Sequence, residues 1–440
     1  MKEHVGFPDW SSLSDRERLA AAQECHARLA QIGLPLRAVA GFCAPATPRD
    51  GALAGMPYVV KDMIATGEAD PSWGCVRPLL NNAPIASVIS GLARVGAVLL
   101  GRAEMTELAY EPSGFNVSRG AVLNPWDFDY VPGGSSSGSA ALVAAGCCYA
   151  ALGSDTGGSV RIPAHCCGVT ALKPSWGKIP IEGTMPLAPS LDTIGLLARS
   201  AADLALLWQG LLAETIPSAD GIAVVLLADA FEESDPGTAQ ICRAGVDVLR
   251  SHGMRVDERA GFPDEADRNC LVVMQAEAAR VHSARLDDER VDAVLRKRLR
   301  KGCSISDGDL TFALRVRQSL RDQFLADQFG DAAVAVLPVI PIKTPRVAEV
   351  DPASPAFSAR TLYALSRFTR FANYLGLPGL AIPAGFDSHG MPVGLQLVGR
   401  PGGDTLLLAI GMKFQAETNW HGRVPSAVAD RSAAEKGIVA

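Results

Sequence analysis

Apolar residues recur along this chain in two rhythms. Short continuous runs at Pro57–Val60, Ala97–Leu100, Cys148–Ser154, Gly168–Lys173, Ile222–Leu227, Ala333–Leu337, Leu380–Pro383 and Val393–Val398 read as buried strands. Between them apolar positions fall at helical spacing. Residues 12–32 predict a helix: Ser14 caps it, Glu17 follows three residues on, Leu19, Ala22 and Leu29 carry the apolar side, and Gly33 and Pro35 stop it. Further helices are predicted over 84–96, 200–213, 236–252, 359–376 and 404–418, with a helix start at Glu104–Ala109. Residues 265–330 form a long, charged, mostly helical block. Segments 41–56, 65–78, 110–131 and 174–196 read as loops.

Strands alternating with helices predict an α/β fold, a mixed, mostly parallel β-sheet covered by helices on both faces. No fixed-period repeat or low-complexity linker divides the 440 residues. A single large domain is therefore expected over 1–425, with 215–335 as a helical elaboration and 426–440 as a mobile tail. Composition adds exclusions. With 48% hydrophobic and 20% charged residues the chain is globular. A formal net charge of −6 argues against a nucleic-acid partner. No apolar run approaches the roughly 18 residues of a membrane span, and the first residues, MKEHVGFPDWSSLSDRERL, lack a signal peptide's apolar core. A cytoplasmic protein with no membrane partner is the expectation. Of ten cysteines, Cys147-Cys148 and Cys166-Cys167 are adjacent pairs with the wrong geometry to bridge; they read as buried thiols in a reducing compartment. His165-Cys166-Cys167 is the nearest approach to a metal set and lacks the spacing of a zinc site, so no metal is expected. The basic run Arg296–Lys301 reads as a solvated helix face, with an anion site as the alternative.

The chemistry concentrates at Val131–Pro163, where GGSSSGS at 133–139 and DTGGS at 155–159 flank a small apolar connector. Gly157 and Gly158 permit torsions that aim successive peptide N–H groups into one concavity. Ser159 stands at the entrance of the helix expected from Arg161 onward, where N–H groups and the helix dipole favour developing negative charge. A nucleophile placed there has its oxyanion hole built in. It also needs a base. Of the seven histidines, His165 is nearest to Ser159 but has no evident Asp partner, and no G-x-S-x-G elbow exists. Lys61 is the other candidate. An apolar strand that carried its ammonium inward would lower its pKa and free it as a base; a strand-end lysine in solvent is the alternative.

These residues together resemble the amidase signature family. PYVVKD at 57–62, GGSSSGSAA at 133–141 and GSDTGGSVRIP at 153–163 follow that family's lysine motif and two serine turns, and the serines at 135 and 159 stand 24 residues apart as in the family. LLGRAEMTELA, NPWDFDYVPGG, CGVTALKPSWG, PLAPSLDTIG, FANYLGLPGLAIPAG and PVGLQLVGRP follow in family order, so the likeness covers roughly 50–200 and 335–415. The resemblance implies Ser159 as nucleophile, Ser135 as a relay serine behind a cis peptide bond, and Lys61 as base. It implies an oxyanion hole from the N–H groups of Thr156, Gly157, Gly158 and Ser159. Gly134, Ser136, Arg161 and Trp73 are candidates to touch substrate; for Arg161 an ion pair with Asp155 or Asp192 is the alternative. Departures from the family include Ser137 in the first turn and the His165-Cys166-Cys167 run.

The activity so implied is hydrolysis of a small-molecule carboxylic amide through an acyl-enzyme, with no cofactor and with a homodimer left open. Two other readings remain. One is the A subunit of a tRNA-dependent amidotransferase, for which the chain stands short; the other is a non-catalytic binding protein on the same fold. Loops 63–78, 110–131 and 174–190 and the helices of 265–330 are expected to shape the acyl pocket.

Overall fold

The computed structural model describes Trp10, residues 13–44, 50–76, 84–425 and Val428. The tail beyond 425, Val428 apart, therefore lies outside the described residues. Eleven strands form one sheet: β1 (Val39–Phe42), β2 (Pro57–Lys61), β3 (Val98–Ala103), β4 (Ala150–Ser154), β5 (Thr170–Lys173), β6 (Ile194–Ala198), β7 (Ala223–Leu227), β8 (Arg255–Arg259), β9 (Val334–Pro338), β10 (Gly379–Phe386) and β11 (Pro392–Gly399). Their order is β1-β3-β2-β4-β6-β5-β10-β11-β9-β7-β8. The helices are α1 (Asp15–Arg28), α2 (Ser87–Arg94), α3 (Ser137–Ala144), α4 (Arg161–Cys167), α5 (Ala201–Leu212), α6 (Ala228–Glu233) and α7 (Pro236–Ser251), followed by α8 (Asp264–Val281), α9 (Ala293–Gly302), α10 (Asp307–Phe324), α11 (Val347–Val350), α12 (Ala359–Leu365), α13 (Arg370–Tyr374) and α14 (Asp404–Glu417).

The chain is a single large α/β domain on a mixed sheet. Parallel pairing falls into two blocks, β3-β2-β4 and β9-β7-β8. The central strands β4-β6-β5-β10-β11-β9 and the β1 edge pair antiparallel. Parallel pairing is thus less widespread than the alternation of strands and helices implies. The reason lies in connections such as β10 to β11, whose direct return fixes the antiparallel sense. Helices cover both faces. His165 of α4 packs on Gly394, while Gly245 of α7 and Phe414 of α14 pack by Leu395. Neighbouring residues of one strand point to opposite faces, so these helices lie on opposite sides of β11.

Three strands fall where the sequence reads as loop or as unpatterned. β1 and β8 lie at the two sheet edges, and β8, RVDER, is largely exposed. Its backbone pairs with β7, and its charged side chains leave no hydrophobic signature. β6 is central and fully buried, but it begins directly after the turn-rich PLAPSLDT, which hides its start. The helix start expected at Glu104–Ala109 is a single 3₁₀ turn, because Leu108 and Ala109 sit at φ 50° and 57° and no helix propagates through that region.

The small apolar connector of the central stretch is α3 followed by β4. Every residue of α3, SGSAALVA, is buried. A helix covered on all sides needs no amphipathic period, so small residues replace one. Its Gly138 passes the backbones of Ala38 and Glu104 so closely that a Cβ would overlap them. This packing sets the 133–139 turn against β2, β3 and β4.

Candidate active site

Three segments converge at the C-terminal ends of the parallel strands β2 and β4. Lys61 ends β2, fully buried. Its Nζ donates to Ser135 Oγ at 2.6 Å and to Ser154 Oγ at 2.8 Å. Burial disfavours its charged form and brings the amine's pKa from 10.5 down to about 7; the carboxylates of Asp155 and Asp192 oppose that shift only in part. The in-solvent alternative for Lys61 does not hold. Ser135 follows a cis Gly134–Ser135 peptide bond and is itself fully buried.

Around Lys61 the 133–139 turn is tied to its surroundings. The Gly134 N–H donates to Pro112 C=O at 2.7 Å, and the Thr106 N–H to Ser135 C=O at 3.2 Å. Ser136 Oγ donates to Ser154 C=O at 3.3 Å, and the Ser136 N–H donates to Ser159 C=O at 3.1 Å. That last bond joins the two serine turns; among the described residues no hydrogen bond links the hydroxyls of Ser135 and Ser159. The Ser137 hydroxyl is buried without a partner.

The 155–161 turn is organised by one carboxylate. Asp155 accepts from the Gly158 N–H at 2.8 Å, the Val160 N–H at 3.2 Å, and Arg161 Nε and Nη2 at 3.0 and 2.9 Å. Asn373 Nδ2 donates to the same carboxylate and to the Asp155 carbonyl. Burial alone would raise the Asp155 pKa; the Arg161 guanidinium and these donors reverse that and hold it down to about 2. The turn is thereby closed around an ionised aspartate. Gly158 sits at φ 127°, and a Cβ there would meet the Thr369 hydroxyl. Thr369 Oγ1 in turn donates to Gly157 C=O at 2.6 Å.

The N–H groups of Thr156, Gly157 and Ser159 have no hydrogen-bond acceptor among the described residues. Of the four expected oxyanion donors, Gly158 is the exception, since Asp155 takes its N–H. Thr156, Gly157 and Ser159 line a cavity of about 620 Å³, with Tyr110, Pro112, Ile162, Leu187, Leu271, Met274 and residues of α9 and α12. The cavity adjoins no metal set: among the described residues no group of three His, Cys, Asp or Glu side chains is placed to hold an ion. His165 is buried, its Nδ1 accepting from the Gly394 N–H at 2.9 Å.

The four candidates for substrate contact sit elsewhere. Arg161 is wholly buried, and Asp155, Gln396 and Asn373 occupy its guanidinium. It is a structural ion pair, because no face of it reaches the cavity. Trp73 is buried beneath Arg285, whose Cζ lies 4.8 Å from the ring centroid. Gly134 and Ser136 are enclosed by Glu111, Gly114 and Ser154. Among the described residues the 63–78 loop gives the cavity none, whereas Tyr110, Pro112, Leu187 and the helices of 265–330 do.

Sequence reasoning missed Ser154, Asn373 and Gln396. Ser154 carried a signal, a lone hydroxyl closing the apolar strand β4. Asn373 and Gln396 carried none, since each lies more than 200 residues from the arginine it holds.

A large mixed α/β sheet presenting a buried lysine to one serine, with a second serine at a helix entrance above a cavity, defines a hydrolase-type architecture. The chain belongs to the Amidase family, whose model matches residues 40–252 and 265–408. It is 34% identical over 426 aligned residues to the glutamyl-tRNA(Gln) amidotransferase A subunit of Alkalilimnicola ehrlichii, covering 85% of this chain and 86% of that protein. The same-named protein of Halorhodospira halophila is 34% identical over 418 residues, with the same coverage. Among solved structures, a crystal structure of an amidase superposes with a TM-score of 0.82 at 29% identity, covering 91% of this chain and 96% of that one. The glutamyl-tRNA(Gln) amidotransferase A subunit of Thermotoga maritima superposes with a TM-score of 0.81 at 25% identity, covering 94% and 95%.

Proposed function

We propose that the protein hydrolyses carboxylic amides through an acyl-enzyme on Ser159. The observation that carries this reading is the 2.6 Å bond from Lys61 Nζ to Ser135 Oγ, made by an amine whose pKa of about 7 leaves it largely neutral above neutrality. Ser159 Oγ attacks the amide carbon while Ser135 takes its proton and passes its own to Lys61. The Ser135–Ser159 hydrogen bond that this path needs forms when substrate arrives, as catalytic bonds absent from free enzymes do in the bound ones. The carbonyl oxygen, now negative, is received by the N–H groups of Thr156, Gly157 and Ser159. The leaving amine takes the proton back along the same path. Water then attacks the acyl-enzyme and gives its proton to the relay, which returns it to Ser159 Oγ as the acyl–oxygen bond breaks and the acid leaves. No step calls on a metal or organic cofactor.

The test is release of ammonia or amine from a panel of amides by the purified chain. Turnover by the native sequence that disappears in both Ser159→Ala and Lys61→Ala supports the relay. Native rates in Lys61→Ala refute it.

The names of the relatives favour a second reading, the A subunit of an amidotransferase that draws ammonia from an amide for use elsewhere. The same three residues would serve it. Amide hydrolysis by the isolated chain favours the stand-alone amidase; strict dependence on a partner protein favours the amidotransferase.

A further inference from the structure

The amidase reading leaves the acyl group open. The cavity at Ser159 has an apolar floor from Ile162, Leu187, Leu271, Met274 and Leu362. One wall is α9, which turns Val294, Lys297, Arg298 and Lys301 toward it. Those positions follow the i, i+3, i+4, i+7 spacing of a single helix face. The basic run is largely exposed, as a solvated helix face should be, and it also lines the mouth of the cavity.

Five cationic side chains line the cavity, with no Asp or Glu among the lining residues. Two of the five are already paired. Arg370 holds Asp267 at 2.7 and 2.9 Å, and Arg300 holds Asp287 at 2.6 Å and the Leu286 carbonyl at 2.8 Å. The side chains of Lys297, Arg298 and Lys301 make no ion pair or hydrogen bond among the described residues. The acidic group that Arg298 does feel is Glu111, which is enclosed and already accepts from the N–H and hydroxyl of Ser113. Three like charges on one and a half helical turns repel one another, and no ion pair among the described residues offsets them. In a protein of net charge −6 such a cluster, standing at the mouth of the cavity with Lys297 and Lys301 exposed and Arg298 half-buried, is suited to an anion.

The wall is also held rigidly. Asp292 caps α9 through the Val294 and Leu295 N–H groups, and its own N–H donates to Glu107 at 3.1 Å. At the other end Gly302 lies against the Gln275 carbonyl and Ala279, where any Cβ would overlap. A cavity of about 620 Å³ is within the usual range for small-molecule sites.

Building on the amidase reading, we propose that the substrates are amides with a carboxylate at the end remote from the scissile bond. An apolar chain lies along Ile162, Leu271, Met274 and Leu362, and Lys297, Arg298 and Lys301 take the carboxylate.

The test compares hexanamide with the monoamide of hexanedioic acid, equal in length and differing in the distal charge. With the native protein, kcat/KM is expected to favour the anionic amide at least about tenfold, chiefly through KM. Screening weakens exposed charge pairs, so the preference narrows as ionic strength rises from about 20 to about 500 mM. In Lys297→Ala/Arg298→Ala/Lys301→Ala the ratio falls to within about twofold of unity. Arg298→Gln, which keeps a polar side chain of similar length, gives an intermediate ratio should the triple variant fail to fold. Hydrolysis of both amides at equal rates overturns this inference and leaves the amidase reading standing. Should neither amide turn over, the amide panel decides the amidase reading, and calorimetric titration of the monoamide decides the anion site separately. Binding by the native protein that the triple variant loses supports the site, and no binding overturns it.

Discussion

Replacing Lys61 by methionine exchanges a buried amine for an apolar chain of similar length. Its effect on stability depends on pH in a way the structure specifies. Folding takes the Lys61 ammonium out of water and lowers its pKa from 10.5 to about 7. Between those values the unfolded chain binds a proton that the folded protein does not. Stability therefore rises with pH across that window. The contribution is complete above about 10.5 and is lost as pH falls through about 7. Each pH step of one within the window is worth about 1.4 kcal/mol, so the native protein gains about 3 kcal/mol from Lys61 between pH 6.5 and 9.5. Lys61→Met has no such gain. Measured relative to the native protein, its unfolding free energy should be about 3 kcal/mol larger, that is, the variant comparatively more stable, at pH 6.5 than at pH 9.5.

The comparison cancels every group that titrates equally in both proteins. Lys173, fully buried and likewise lowered to about 7, is the chief of these. Urea unfolding of both proteins at the two pH values measures the quantity, and the lost bonds to Ser135 and Ser154 enter as a constant. A pH-dependent difference below about 1 kcal/mol would refute the argument that Lys61 is neutral because it is desolvated.

Turnover should follow the same proton: kcat/KM rises with pH to a plateau with its midpoint near 7, and a profile flat down to about pH 5 argues for a different base. Ser159→Ala should abolish hydrolysis and Ser135→Ala should lower kcat by at least about a hundredfold, measured as ammonia release; residues acting as one unit fail together. Arg161→Met leaves Asp155 buried without its cation and should cost about 3–5 kcal/mol in denaturant unfolding; a loss under 1 kcal/mol removes the structural role given to that pair. Trp73→Phe should change KM less than about twofold, because the ring packs under Arg285 outside the cavity.

The parts of this fold that sequence makes visible are those whose signal is local. A continuous apolar run marks β2, β4, β9 and β11, and a capping serine with a carboxylate three residues later marks α1 and α5. β8 shows the limit: a charged edge strand is defined by the neighbour it pairs with. The site divides in the same way. The serine turns and the lysine are adjacent to recognisable glycines and an apolar strand, so their residue types are legible. Whether Lys61 is buried depends on α3 and β4 closing over it, which its own neighbours in sequence do not record. The basic run of α9 has the composition of a solvated face and is largely exposed, and only the packing of α8, α9 and α12 places it at the rim of the cavity.

The guanidinium of Arg161 is bonded to Asn373 and Gln396, 212 and 235 residues further along the chain. The turn that carries Ser159 is therefore completed by the last quarter of the protein. During synthesis both serine turns and Lys61 emerge long before the residues that close around Asp155. A ribosome-bound chain of two or three hundred residues contains Lys61 and both serine turns and none of these late braces. The bracing of the 155–161 turn is deferred until the polypeptide is almost finished.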